Sequence, residues 1–214
     1  MSQGNTAEHD KEVKICLIGC ERSGKTTILN IWKGEGFDSV YSQTDEINSV
    51  PVSVILADGR HLTVQVCSTC NEVRSTTEMQ CDCAGKQIKN SRTTVDSYIS
   101  DCLIHVFVAS KEDKNNSGFL NGFLNSPFYR KSTPKARYLI VTKAKEEDAS
   151  NGGLVGVCDT YHLKRYDVDC QTDGNVLMDI LKEIVKEYVG EQPAPPQEIK
   201  PESTHGKKCS CVLC

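Results

Sequence analysis

The chain has 214 residues, 38% of them hydrophobic and 25% charged, with a formal net charge of −4. That suits one globular domain with a sizeable core plus a tail, and the acidic balance gives no support to nucleic-acid binding, which draws on a basic face. No apolar run reaches the roughly 18 residues of a membrane-spanning helix, and the polar start Met1-Ser-Gln-Gly-Asn-Thr6 lacks both a signal-peptide apolar region and a Met-Gly myristoylation start. A cytosolic or cytosol-facing protein is expected, and its twelve cysteines are therefore expected to be reduced thiols rather than a disulfide framework. Those inside apolar runs, such as Cys16 and Cys102, would act as small buried hydrophobes.

In chain order, residues 1–11 read as a polar, disordered lead. Val13 to Ile18 is a short apolar run that predicts a strand ending at Gly19, and Thr26 to Trp32 has helical spacing with Ile28, Leu29 and Trp32 on one face. Val52 to Leu56 and His61 to Cys67 flank Asp58-Gly59, a strong β-hairpin signal. Cys102 to Val108 and Arg137 to Val141 are β-branched runs of the kind that form buried parallel strands. Tyr166 to Cys170 predicts a last short strand, and Val176 to Val189 a final amphipathic helix. Strands alternating with helices predict a three-layer α/β fold whose sheet is mostly parallel with one antiparallel hairpin strand. The Pro-rich stretch from Glu191 to Pro201 reads as an extended linker. The domain is therefore expected to span residues 12–190, followed by a flexible tail over 191–214.

The most informative segment is Gly19-Cys20-Glu21-Arg22-Ser23-Gly24-Lys25-Thr26, followed by Thr27, which satisfies G-x4-G-K-[ST]. The glycines let backbone N–H groups converge on phosphate oxygens, Lys25 supplies a point charge, and the Thr26 hydroxyl can ligate Mg²⁺. The pattern follows a predicted strand and opens a predicted helix, as its mechanism requires. An incidental glycine turn is the bland alternative. The expected role of Gly19 to Thr27 is phosphate binding within a P-loop NTPase fold.

Together with the hairpin, the strand Cys102–Val108, Asp169-Cys170 and the last helix, this loop gives residues 12–190 and the C-terminal tail a resemblance to small GTPases of the Ras superfamily, Rho-like branch. Phe37-Asp-Ser-Val40-Tyr41-Ser-Gln-Thr44 looks like the family's first switch. The resemblance implies GTP or GDP as bound nucleotide, Mg²⁺ held by Thr26 and Thr44, and an effector surface around Thr44. It also marks departures. The family's Asp-x-x-Gly-Gln segment falls on Ser68-Thr69-Cys70-Asn71-Glu72, so the supporting aspartate is Ser68, the γ-phosphate-sensing glycine is Asn71, and the water-orienting glutamine is Glu72, the candidate catalytic residue. Glu21 stands where the family has a very small residue, and a carboxylate beside a polyanion opposes in-line water attack.

The guanine-reading Asn-Lys-x-Asp is matched by Thr142-Lys143-Ala144-Lys145. Lys145 has only donors and cannot accept from the guanine N1–H and N2–H₂ groups; Glu146 is the alternative acceptor. The later base-contacting loop is Gln171-Thr172-Asp173. The resemblance thus implies slow or absent hydrolysis and reduced guanine specificity.

The chain closes with Lys207-Lys208-Cys209-Ser210-Cys211-Val212-Leu213-Cys214. Cys-Val-Leu-Cys fits C-a-a-X with Cys211 as prenyl acceptor and Cys209 as a palmitoyl site, leaving farnesyl and geranylgeranyl both open. One lipid with two lysines anchors only marginally, so Cys209 acylation would matter. A Cys-rich metal-binding tail is the alternative. Separately, Cys67, Cys70, Cys81 and Cys83 are loosely spaced as zinc ligands, against free thiols in a long polar loop from Ser68 to Arg92. His105, alternating with apolar neighbours, reads as a satisfied core histidine, and the charge run Lys143 to Asp148 as a solvated loop.

The expected function is a guanine-nucleotide-binding signalling protein on the cytoplasmic face of a membrane, the plasma membrane first, with effector and regulatory proteins as partners. A pseudoGTPase interaction module that keeps the fold without switching is the alternative, and a P-loop ATPase or kinase of another family ranks third.

Overall fold

A computed structural model describes residues 13–40, 48–69, 97–143 and 152–190. Six strands form one sheet: β1 (Val13–Ile18), β2 (Asn48–Ile55), β3 (His61–Ser68), β4 (Ile104–Ser110), β5 (Ala136–Thr142) and β6 (Lys164–Asp167). Helices α1 (Lys25–Trp32), α2 (Asn116–Leu124), α3 (Gly152–Tyr161) and α4 (Gly174–Val189) accompany them, with a 3-10 turn at Tyr129–Lys131. Residues 97–101 are also helical. The strand order is β2-β3-β1-β4-β5-β6, with β2 antiparallel to β3 and every other pairing parallel. This is an α/β fold with a mostly parallel sheet and one antiparallel pair.

Burial explains which runs became which strands. β1 and β4 lie at the centre with strands on both sides, and all seven residues of β4 are buried, so both read as near-continuous apolar runs. β2 is an edge strand and alternates instead: Val52 and Val54 point inward while Pro51, Ser53 and Ile55 face solvent. Pro51 is tolerated there because an edge strand leaves one row of N–H groups unpaired. At the β2–β3 turn Gly59 takes φ 84, and the Asp58 carboxylate accepts from the Arg60 backbone N–H at 3.1 Å and from Nε at 2.8 Å.

Helices cover both faces of the sheet. On one, α1 and α4 pack over Ile15, Leu17, Val66, Val106 and Ile140, and the Trp32 indole donates to the Leu177 carbonyl at 2.9 Å. On the other, α2, α3 and residues 97–101 cover Cys16, Ile18, Phe107, Leu139 and Val141. Phe107, Phe123 and Tyr129 form an aromatic cluster there, with ring centroids 5.0 to 6.1 Å apart. Truncating a buried aromatic of this kind costs about 3–5 kcal/mol.

Several boundaries differ from the sequence-based expectation. The fourth strand begins at Ile104, not Cys102, and runs on to Ser110; the last strand is Lys164–Asp167 rather than Tyr166 to Cys170. In both cases the apolar residues just outside the strand (Cys102, Val168 and Cys170) are buried by core packing rather than by the sheet. α2 and α3 carry no strong sequence signal, because Asn and Gly are poor helix formers and α2 is rich in both while α3 is rich in Gly.

The register places Cys67, Cys16 and His105 side by side on β3, β1 and β4. All three are buried, and Cys67 and Cys16 are free thiols. His105 Nε2 lies 2.9 Å from the Ile99 carbonyl and 3.1 Å from that of Cys102, so Nε2 carries the proton, and Nδ1 accepts from the Tyr129 hydroxyl at 2.9 Å. This is the satisfied core histidine expected from the sequence. Burial holds its pKa down to about 4, outweighing the two carbonyl contacts, and the Arg137 charge adds to the depression. Well above pH 6.5 the ring is neutral in both folded and unfolded chains. As pH falls from 6.5 towards 4 the unfolded chain takes up a proton that the folded protein refuses, so stability is lost in that window, about 2 kcal/mol of it by pH 5. Urea denaturation at pH 7 and pH 5 should show that loss in the native chain and a smaller one in His105→Gln; equal losses would contradict it.

Candidate functional site

The carboxyl ends of the parallel strands are where the chain's chemistry converges. β1 lies between β3 and β4, to which the chain runs in opposite directions across the sheet, and in open α/β sheets that switch point is where a crevice for ligands opens. The Gly19–Thr26 segment leaves β1 there and leads into α1.

Its path is narrow. A β-carbon on Gly19 would lie 2.2 Å from the Val108 carbonyl oxygen of β4 and 2.7 Å from Ser23 Oγ, so only glycine lets the main chain pass. Gly24 takes φ 98 and sits against Thr142, whose methyl would be 3.0 Å from a β-carbon. Glycine meets both demands at no steric cost. Arg22 also adopts a left-handed φ of 59, turning the loop outward at Glu21 and Arg22. Their side chains are exposed, with Arg22 Nε 4.0 Å from Glu21 Oε1.

α1 begins at Lys25 with Gly24 as its N-cap and no side-chain capping bond. The first-turn N–H groups of an α-helix have no intrahelical acceptor, so those of Lys25, Thr26 and Thr27 face the loop at the positive end of the helix dipole. Lys25 is only 6% exposed, and its ammonium donates to the carbonyls of Gly19 at 2.8 Å and Cys20 at 2.7 Å. The amides, the dipole and the ammonium share one sign, and such an arrangement can hold an anion.

Neighbouring strand ends brace the loop. Thr142 Oγ1, at the end of β5, donates to the Ser23 carbonyl at 2.8 Å. Thr142, a base-binding candidate from the sequence, is also the residue that ties the end of β5 to the loop. Asn116 Nδ2 donates to the carbonyls of Ser110 and Asp113, clipping the turn after β4. The Cys20 thiol is pushed up to about 11, chiefly by burial and then by the nearby Asp113 charge, with Lys25 opposing. It is a neutral thiol, not a nucleophile.

Among the described residues, four buried side-chain hydroxyls have no hydrogen-bond partner: Ser23 in the loop, Ser68 at the end of β3, Ser110 at the end of β4 and Tyr166 in β6. The three serines stand at the carboxyl edge of the sheet. Buried polar atoms are nearly always satisfied, so orphans gathered at one edge mark where a polar ligand or water completes the structure. Ser110 was missed from sequence, because only the fold places it at the end of β4 beside Thr142.

On the side assigned to the base, Lys143 takes φ 56 and its ammonium lies 2.5 Å from Glu112 Oε2. Val168 donates to the Val141 carbonyl at 2.9 Å, so the turn containing Gln171 and Thr172 lies beside the end of β5. Both are exposed, and their N–H groups are already engaged by Asp169, at 3.0 Å to its carboxylate and 3.1 Å to its carbonyl. Thr44, Cys70, Glu72, Cys81, Cys83, Lys145, Glu146, Cys209 and Cys211 lie outside the described residues.

The Mg²⁺ implied by the resemblance can be tested against the donors present. Thr26 stands in the first turn of α1. Val64 and Val66 face the α1 side of the sheet, and by the two-residue period of a strand so does Ser68. It brings a neutral hydroxyl where a hard dication draws on carboxylate oxygens. Among the described residues no group of three or more His, Cys, Asp or Glu side chains is arranged to hold a metal ion. Of the two Mg²⁺ ligands that the resemblance implies, Thr26 is described and Thr44 is not, and Ser68 adds no carboxylate to them. Of the candidate zinc ligands only Cys67 is described: a hydrogen bond with Cys102 and burial raise its thiol pKa strongly, and it contacts Ser49 Oγ at 3.4 Å.

No protein-family model and no curated protein matches the chain. Among the described residues no helix is long and apolar enough to cross a membrane.

Gly19→Ala should cost about 1–3 kcal/mol in urea denaturation, because the clash is with β4 backbone. Gly118→Ala, on the exposed face of α2 where a β-carbon would meet nothing within 4 Å, should gain about 0.5–1 kcal/mol. Equal effects would mean that Gly19 is not confined as described.

Proposed function

We propose that this protein is a nucleotide-binding module of Ras/Rho type, built on the P-loop NTPase fold, that holds nucleotide phosphates and turns them over slowly or not at all. The observation that carries the reading is the start of α1, with glycine as its N-cap, beside the buried Lys25 ammonium, with Gly19 and Gly24 drawing the loop against β4 and β5. Nothing in that arrangement requires a particular base. The N–H groups and the ammonium act on phosphate oxygens alone.

Slow turnover follows from the groups around the loop. In-line attack on a phosphate needs a positioned water and stabilisation of developing negative charge. Glu21 instead adds a carboxylate to the loop's outer turn, where it repels an incoming hydroxide. Weak guanine preference follows from Lys143, which is paired with Glu112, and from Thr142, whose hydroxyl bonds the loop. The same two contacts favour the pseudoGTPase reading as runner-up, since they complete the loop's surroundings from within the chain.

The C-terminal Cys211, with Cys209 as a second acylation site, would tether the module to the cytoplasmic face of a membrane. There the segment around Thr44 would meet effector and regulatory proteins.

Nucleotide released from the purified protein and chromatographed should be GDP or GTP at near-stoichiometric amounts, and Lys25→Ala should lose it while melting within a few degrees of the native chain. An adenine nucleotide would move the protein to another P-loop class, and none at all would leave the pseudoGTPase. In the same cells Cys211→Ser should leave the membrane fraction; unchanged partitioning would rule out the lipid anchor.

A further inference from the structure

Ser68 brings a buried, uncharged hydroxyl to this edge of the sheet, and we infer that this protein binds nucleotide phosphates without requiring Mg²⁺. The inference rests on the phosphate-binding reading above and extends it to the form in which the ligand is taken.

Ser68 is 1% exposed, its hydroxyl has no hydrogen-bond partner, and its side chain lies on the α1 side of β3. β3 is locked beside the origin of the loop: Leu17 is the register partner of Ser68, and its carbonyl accepts from the Thr69 N–H and the Thr69 hydroxyl, both at 3.1 Å. The orphan hydroxyl is therefore held in place beside the strand that leads into the loop. A second orphan, Ser23 Oγ, belongs to the loop itself, in a residue 2% exposed.

Two consequences follow from hydroxyls at these places. A serine supplies no negative charge, so it gives a dication little reason to stay; Mg²⁺ dehydrates reluctantly and is retained by carboxylates together with phosphates. A serine also removes a penalty. A carboxylate buried near the start of α1 would repel a metal-free polyphosphate in a low-dielectric setting, whereas a hydroxyl can donate a hydrogen bond to a phosphate oxygen or to a water beside it. The positive charge the phosphates need is supplied by Lys25 and by the N–H groups of α1. Of the nearby carboxylates that the structure describes, Glu21 is exposed on the outer turn, and Asp113, after β4, stands close enough to Cys20 of the loop for its charge to raise that thiol's pKa. The ligand class is thus a metal-free nucleoside di- or triphosphate.

The test is equilibrium binding of ribose-labelled fluorescent GDP, with the ADP analogue in parallel, to nucleotide-stripped full-length protein in excess Mg²⁺ and in EDTA. The two Kd values should agree within about threefold, and Ser68→Ala should keep that ratio. Ser68→Asp should weaken binding in EDTA by about tenfold or more and recover it with Mg²⁺. Binding by the native chain that is about tenfold tighter in Mg²⁺, or seen only with Mg²⁺, would overturn the inference while leaving the phosphate-binding reading intact. Binding of neither nucleotide in either buffer would remove that reading and this inference together. The comparison on the native chain decides the matter even if Ser68→Asp does not fold.

Discussion

Where β1 ends, the main chain at Gly19 passes so close to Val108 of β4 that a β-carbon would lie 2.2 Å from its carbonyl oxygen. That single approach fixes the rest of the site. With Gly19 pressed to β4 and Gly24 against Thr142, the loop cannot drift from the sheet, so the start of α1 is aimed along the carboxyl edge. Lys25 then folds back onto the Gly19 and Cys20 carbonyls. Its buried charge is tolerable because those carbonyls hydrogen-bond it; a buried ammonium without partners would be costly.

The two faces of the sheet divide the work. The α1 and α4 face carries the Trp32–Leu177 bond and the alternating residues Ile15 and Leu17, which seat the helix whose first turn forms the site. The opposite face holds the row of Cys67, Cys16 and His105 beneath Cys102 and Tyr129. Burial is the main cause that keeps His105 and Tyr129 neutral, and hydrogen bonding and burial together keep the Cys67 and Cys102 thiols protonated. These groups are core filling with satisfied polar atoms, and they leave the chemistry to the strand ends.

Much of this was legible in the sequence. Val13–Ile18, the G-x4-G-K-[ST] segment and the Ile28, Leu29, Trp32 stripe predicted strand, loop and helix in order, and Asp58-Gly59 marked the hairpin. Each signal is local, a property of residues within one turn or strand. What was missed depends on contacts between distant segments. The Thr142–Ser23 bond joins residues 119 apart in sequence, and the Lys143–Glu112 pair joins residues 31 apart. α2 and α3 were missed for a different reason: Asn116–Leu124 and Gly152–Tyr161 are held as helices by packing against the sheet rather than by propensity. The orphan hydroxyls of Ser23, Ser68 and Ser110 have no sequence signature, since whether a serine is satisfied is known only once its neighbours are placed.

The central claim is that the loop's backbone, more than any side chain, receives phosphate. An NMR titration of the nucleotide-free protein with GDP tests it most directly. The amide resonances of Gly24, Lys25, Thr26 and Thr27 should shift together, saturate with one affinity and gain protection from hydrogen exchange, while amides of α2 stay unmoved. If those four amides hold their positions at saturating nucleotide, or if the shifts instead centre on another part of the chain, phosphate binding by this loop is contradicted.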